Sequence, residues 1–127
     1  MIEGPLRLKV QIHCGDEPAL GPGRAALLAA IDEQGSISAA GRVLGMSYRR
    51  SWMLVDSMNR CWTERLVETS IGGGKARGAR LSATGRSVLD AYRELEEALA
   101  VVAKQQLGAL TATLREAPLP AVGAEPP

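Results

Sequence analysis

The sequence predicts a mainly α-helical fold with a small β hairpin, on three observations. Residues 35–52 read as two short helices joined by a glycine turn. Two short strand-like runs, Leu66–Ile71 and Ala79–Leu81, flank a glycine-rich basic tip. Beyond Ser82, the apolar residues Val88, Tyr92, Leu95, Leu99 and Val102 recur at spacings of 4, 3, 4 and 3, which predicts one long helix. A length of 127 residues predicts one domain, and 46% hydrophobic residues suffice for a core. Only 3% are aromatic and none is Phe, so the core must come from Ala, Leu and Val, which favours closely packed helices.

In chain order, Leu6–His13 alternates apolar and polar residues without a break. That predicts a half-buried strand with Leu6, Leu8, Val10 and Ile12 facing in, partnered by a later segment. Gly15–Gly21, with Pro18, reads as a polar turn region. Pro22 opens the first helix, where its missing N–H is tolerated. Ala25, Leu27, Leu28 and Ile31 form the apolar side of that helix and Gly35 ends it. Ser36 or Ser38 caps a second helix whose apolar residues are Ala39, Ala40, Val43 and Leu44. Gly45 supplies the left-handed residue past its end, and Ser47 caps a third helix. Trp52, Val55, Met58 and Trp62 then share one face and are predicted to be buried, while Arg49, Arg50, Met53 and Arg60 point elsewhere.

Two arginines in the first turn of a helix conflict with the positive end of its dipole. A phosphate there removes the conflict. In a helix-turn-helix, the N-terminal residues of the second helix face the major groove, where Arg binds guanine with two hydrogen bonds. The plain alternative is a helical hairpin with a solvated arginine face. Charge distribution favours the nucleic acid. Residues 1–41 carry a net −2, residues 42–80 carry eight Arg or Lys against Asp56, Glu64 and Glu68 for a net +5, and residues 81–116 come to −1.

The glycine-rich tip, Gly72 to Gly78, is not a nucleotide cradle, because Gly74-Lys75 is followed by Ala76 with no helix after it. Its basic residues Lys75 and Arg77, with Arg80, are expected to reach DNA phosphates or the minor groove; the alternative is a solvated hairpin tip. Ser82 caps the long helix, with Thr84 as a competing cap. A helix of about 20 residues spans about 30 Å, more than a small domain covers. Its surplus seam (Val88, Tyr92, Leu95, Leu99 and Val102) therefore predicts a homodimer, against simple intramolecular packing. Pro118, Pro120, Pro126 and Pro127 predict a disordered tail.

Other functions have little to stand on. Cys14 and Cys61 are too few and too far apart in sequence for a disulfide framework or a zinc site. Cys61 reads as a small core hydrophobe, and nothing in the sequence supports a thiol sensor. His13, the single histidine, has no Ser, Cys or carboxylate arrangement around it, so no enzyme, metal site or cofactor is expected. No signal peptide or membrane span is legible, which predicts a cytoplasmic protein with reduced thiols.

The element order is that of a winged helix-turn-helix with a long C-terminal dimerisation helix. The residues resemble the N-terminal DNA-binding domain of ModE, the bacterial molybdate-responsive transcriptional regulator family, and more distantly that of LysR-type regulators. Gly35-Ser36-Ile37-Ser38-Ala39-Ala40, Gly45-Met46-Ser47-Tyr48-Arg49-Arg50-Ser51-Trp52 and Met58-Asn59 carry the resemblance. So do Leu66-Val67-Glu68, Gly72-Gly73-Gly74-Lys75 and Leu81-Ser82-Ala83-Thr84-Gly85-Arg86. It runs from Leu6 to Leu107 and implies a dimeric regulator on palindromic operators. DNA contacts are implied at Ser47, Tyr48, Arg49, Arg50 and Ser51, and on the wing around Lys75 and Arg77. The expected division is 1–107 as the DNA-binding and dimerisation domain and 108–127 as the helix end and Pro-rich tail. The family senses molybdate in C-terminal oxyanion-binding domains. This sequence stops at Pro127, shortly after the long helix. The reading is therefore a short DNA-binding protein linked to molybdenum transport or use, without its own oxyanion site; a separate molybdate-binding protein could supply sensing, or the chain could be cut from a longer one. The alternative is a protein-interaction module working through the long helix.

Overall fold

The computed structural model describes residues 2–70 and 78–123. Among these residues the chain forms three two-stranded antiparallel ribbons and four helices. β1 (Ile2–Glu3) pairs with β2 (Leu6–Arg7), and β3 (Ile12–Cys14) pairs with β4 (Glu17–Leu20). Then come α1 (Pro22–Gln34), α2 (Ile37–Val43) and α3 (Tyr48–Cys61). β5 (Val67–Ser70) and β6 (Gly78–Leu81) form the wing, with Val67 opposite Leu81 and Ser70 opposite Gly78. α4 (Ala83–Thr111) has 29 residues.

The core sits where α1, α3, the wing and the first half of α4 meet. Leu27, Leu28 and Ile31 of α1 pack with Val55 and Met58 of α3, Leu66 and Val67 at the start of the wing, and Leu89 of α4. Leu and Ala supply most of it, as the composition predicts, and among the described residues one aromatic, Tyr92, is buried. α1 behaves as its sequence predicts: Pro22 lies in its first turn, its apolar side is buried, and Gly35 closes it with φ 74°.

The N-terminal segment departs from the sequence expectation. Leu6–His13 is not one strand. β2 turns back onto β1 through Gly4 at φ 57°, so its partner precedes it. Residues 8–11 carry no ladder, and the Val10 carbonyl instead accepts the Tyr92 hydroxyl at 2.8 Å. A bulge between Ile12 and His13 then turns Ile12 outward, leaving it 38% exposed. The segment read as a polar turn is largely strand. Glu17–Leu20 buries Ala19 and Leu20, and Pro18 is tolerated because a two-stranded ribbon is all edge.

α3 is tied to β4 along one side. Arg60 donates to both Glu17 oxygens at 2.8 and 3.0 Å and to Asp56 at 2.9 Å. The Trp62 indole donates to the Ala19 carbonyl at 3.1 Å. Arg60, first of all, holds the Glu17 carboxyl below its ordinary range. A carboxyl lowered on folding stabilises the fold above its unfolded pKa and loses that contribution as pH falls through the folded value. Glu17→Gln is therefore expected to lower stability modestly at neutral pH, as suits an exposed pair, and to flatten the acid limb so that the two proteins converge at low pH, measured as urea midpoints down a pH series.

The loop from α3 to the wing is clamped at Leu66. Asn59 Oδ1 accepts from the N–H groups of Leu66 (2.9 Å) and Val67 (3.1 Å), and its amide donates to the Val67 carbonyl (3.1 Å). Ser82 donates its N–H to the Leu66 carbonyl at 2.9 Å. Asn59→Ala leaves two buried backbone donors unpaired and is expected to cost about 2 kcal/mol of stability, read as a lowered denaturant midpoint with an unchanged slope.

Candidate nucleic-acid interface

α2, the Gly45 turn and α3 form the helix-turn-helix. Ser36, not Ser38, caps α2, accepting from the Ala39 N–H at 3.0 Å. Ile37, Ala40 and Gly41 make its buried face, which leaves Val43 a third of a turn away and exposed, against the expected apolar set. Gly45 adopts φ 70°, and the Met46 N–H returns to the Gly41 carbonyl at 2.8 Å. Ser47 caps α3 through the Arg50 N–H at 3.1 Å.

Two predicted contact residues have other work. Ser51 is fully buried and donates to the Ser47 carbonyl at 3.0 Å. A Cβ on Gly41 would lie 2.2 Å from Ser51 Oγ, so this small pair sets how closely α2 approaches α3. Ser51 thus serves the packing of α2 on α3. Ser47 is exposed, with its hydroxyl engaged in the cap. Arg49 and Arg50 project from the first turn into solvent, and among the described residues no carboxylate pairs with either.

The outward face of α3 is less polar than its arginines suggest. Trp52, expected in the core, lies about a quarter turn from the line through Val55 and Met58 and is exposed. The Tyr48 and Trp52 rings meet edge to face, with centroids 6.3 Å apart. Met53 lies beside them in the open. Between this corner and the wing runs a groove of about 410 Å³, lined by Ser36, Ser38, Tyr48, Trp52, Thr69 and Gly78 among others. Lys75 and Arg77 lie outside the described residues. Arg80 stands on β6, highly exposed, and pairs across the ribbon with Glu68 at 3.1 Å. The β6 end of the wing is anchored to the helix bundle, because the Ala79 N–H donates to the Gly35 carbonyl at 2.8 Å.

The expected dimer seam divides in two. Val88 packs half-buried on the core. Tyr92 is buried and bonded to Val10, and burial pushes its phenol up; it anchors α4 to the N-terminal segment. Leu99 is half-buried, while Leu95 (41%) and Val102 (50%) remain exposed. An apolar groove of about 470 Å³ runs along this helix, lined by Ile12, Leu20, Trp62, Val88, Ala91 and Leu95 among others.

Cys14 and Cys61, distant in sequence, are brought beside one another by the β3–β4 ribbon; burial first, then the neighbouring Cys14, pushes the Cys61 thiol up. Among the described residues, no group of three or more His, Cys, Asp or Glu could hold a metal ion, and no helix is long and apolar enough to cross a membrane. Sequence reasoning missed Asn59, Gly85 and the Glu17–Arg60 pair as organising residues. Asn59 and Gly85 stand within the motifs quoted for the resemblance, yet only the fold shows that both meet Leu66.

No family model matches the chain. Curated relatives do. MopA of Rhodobacter capsulatus, named a molybdenum-pterin-binding protein, is 33% identical over 99 residues, 78% of this chain and 37% of that protein. ModE of Azotobacter vinelandii, named a molybdenum transport protein, is 40% identical over 61% of this chain and 29% of its own length. MopB of Rhodobacter capsulatus is 41% identical over 64% of this chain and 30% of its own length. The chain thus spans about a third of the curated relatives it matches, within their N-terminal region. Among solved structures, the DNA complex of the CbnR DNA-binding domain has a TM-score of 0.55 at 22% identity, covering 69% of this chain and 95% of that one. Full-length CbnR with its target DNA has a TM-score of 0.53 at 26% identity, covering 68% of this chain and 29% of that one. The fold is that of winged-helix DNA-binding domains, and the sequence is similar to the N-terminal region of ModE and Mop proteins.

Proposed function

We propose that this ModE-type winged helix binds duplex DNA in a sequence-selective way and regulates transcription in the cytoplasm, in the control of molybdenum transport or use. The observation that carries the reading is the Arg49–Arg50 corner at the N-terminus of α3, which no carboxylate pairs among the described residues, with a wing whose tip is basic in sequence. α3 supplies base contacts in the major groove through Arg49 and Arg50, while Tyr48 and the Ser47 backbone lie against phosphate. Lys75, Arg77 and Arg80 extend the positive surface along the flanking backbone. The molybdenum link rests on the names of the relatives. Molybdate is sensed outside the winged helix, by a separate molybdate-binding protein or segment.

The working unit is a homodimer built on the exposed apolar side of α4. The exposed Leu95 and Val102, together with the apolar groove beside Trp62, support this. Leu95→Glu is expected to give a folded monomer in light scattering, with DNA affinity reduced because one half-site no longer positions the other. An unchanged dimer would remove Leu95 from the interface. A second reading, a protein-interaction module, uses the same groove and needs no DNA.

The test is fluorescence anisotropy of the full chain with a duplex from upstream of its own gene, against a scrambled duplex, with and without molybdate. Selective binding that ignores molybdate is the expected result. Equal or absent binding to both duplexes would overturn the regulator and leave the interaction module.

A further inference from the structure

The outward face of α3 carries an apolar patch that folding does not use. Met53 is 61% exposed, Tyr48 59% and Trp52 38%. Together with Arg49 and Asp56 they line a shallow depression open to solvent. Single exposed hydrophobes need no explanation, but a contiguous patch on the helix surface opposite the core marks a contact surface. Two features narrow the occupant. Arg49 borders the patch with no carboxylate partner among the described residues, and Asp56, the one acid beside it, is already paired with Arg60 at 2.9 Å. The surface is thus apolar with a cationic edge at a helix N-terminus. In the major groove, unmodified base pairs display one apolar group, the thymine 5-methyl, next to guanine acceptors that take Arg.

We propose that Met53, backed by Trp52, recognises a thymine 5-methyl group adjacent to the base read by Arg49, making Met53 a specificity-determining residue. This rests on the DNA-binding reading above. Geometry supports the placement. Arg49 and Met53 are four residues apart, so they stand one above the other on the same face of α3. The Tyr48–Trp52 edge-to-face contact holds the indole at the patch border. Met53, unbranched and polarizable, adapts to a methyl without demanding one fixed geometry.

The experiment selects duplexes from a random library with the full chain, then replaces thymine by uracil position by position in a selected duplex. Uracil removes the methyl and keeps the pairing edge. At one or two positions, uracil is expected to weaken wild-type binding about fourfold, the value of one buried methyl. Met53→Gln, a solvent-exposed change of similar length, is expected to lose that affinity on the thymine duplex and become indifferent to uracil at those positions. Selected duplexes that tolerate uracil everywhere would overturn the proposal and leave DNA binding standing. A uracil effect identical in wild type and Met53→Gln would also overturn it, assigning the methyl to another residue. Failure to enrich any duplex would overturn both this proposal and the DNA-binding reading.

Discussion

Gly85→Val is expected to unfold the wing and destabilise the whole domain by at least about 3 kcal/mol. Gly85 lies in the first turn of α4 and is buried. A Cβ there would lie 2.1 Å from the Leu66 carbonyl oxygen and 2.9 Å from its carbon. Both are backbone atoms, so no rotamer relieves the clash. The same carbonyl accepts the Ser82 N–H, and the Leu66 N–H is held by Asn59. Moving Leu66 therefore disturbs the junction of α3, β5 and α4 together. Gly108, farther along the same helix, has nothing within 4 Å of a built Cβ. Gly108→Ala is expected to stabilise by up to about 1 kcal/mol, the difference in helix propensity. Denaturant midpoints of the two variants should move in opposite directions. A Gly85→Val protein as stable as the parent would mean that α4 does not enter against Leu66 as described.

The second large effect is expected on DNA. Arg49→Ala and Arg50→Ala should leave stability within about 0.5 kcal/mol, since both side chains are exposed surface groups. Removing one of them releases the helix N-terminus from a like charge, so stability should rise slightly if it moves at all. On a selective duplex, whichever arginine binds a guanine edge is expected to cost about 1–3 kcal/mol, or roughly tenfold to more than hundredfold in affinity, and to relax the preference at one base pair. Equal losses on selective and scrambled duplexes would reassign that arginine to phosphate contact.

Much of this was legible in the sequence because it depends on local chemistry. Ser47 and Ser82 cap as their hydroxyls and positions predict, and Gly35 and Gly45 turn left-handed where a helix must stop. The wing ribbon followed from two apolar runs around a glycine tip. The misreadings share one cause: tertiary contacts redirected residues whose local pattern was ambiguous. Tyr92 fits a heptad seam, but the Val10 carbonyl, 82 residues away in sequence, binds its hydroxyl and draws it inside. Leu6–His13 alternates like a strand, yet its first residues pair back onto Ile2–Glu3 and its Val10 carbonyl is taken by Tyr92. Ser51 resembles a polar contact residue, and only the close packing of α2 on α3 shows that it fills the space left by the missing side chain of Gly41. Trp52 was placed inside by its hydrophobicity, whereas helical geometry gave that place to Ser51 and Val55. The exposed apolar patch joins Met53, expected to point away from the core, to Trp52, expected inside it.

The central claim is that the α3 corner and the wing engage the phosphate backbone while α3 reads bases. Its most direct test is the salt dependence of affinity, for a selected and a scrambled duplex, in wild type and Lys75→Ala. Releasing counterions from each neutralised phosphate makes log affinity fall linearly with log salt. A steep slope is expected on both duplexes, with a constant gap between them from base readout and a slope about one unit shallower in Lys75→Ala on each. A flat salt response with no gap between the duplexes would contradict it.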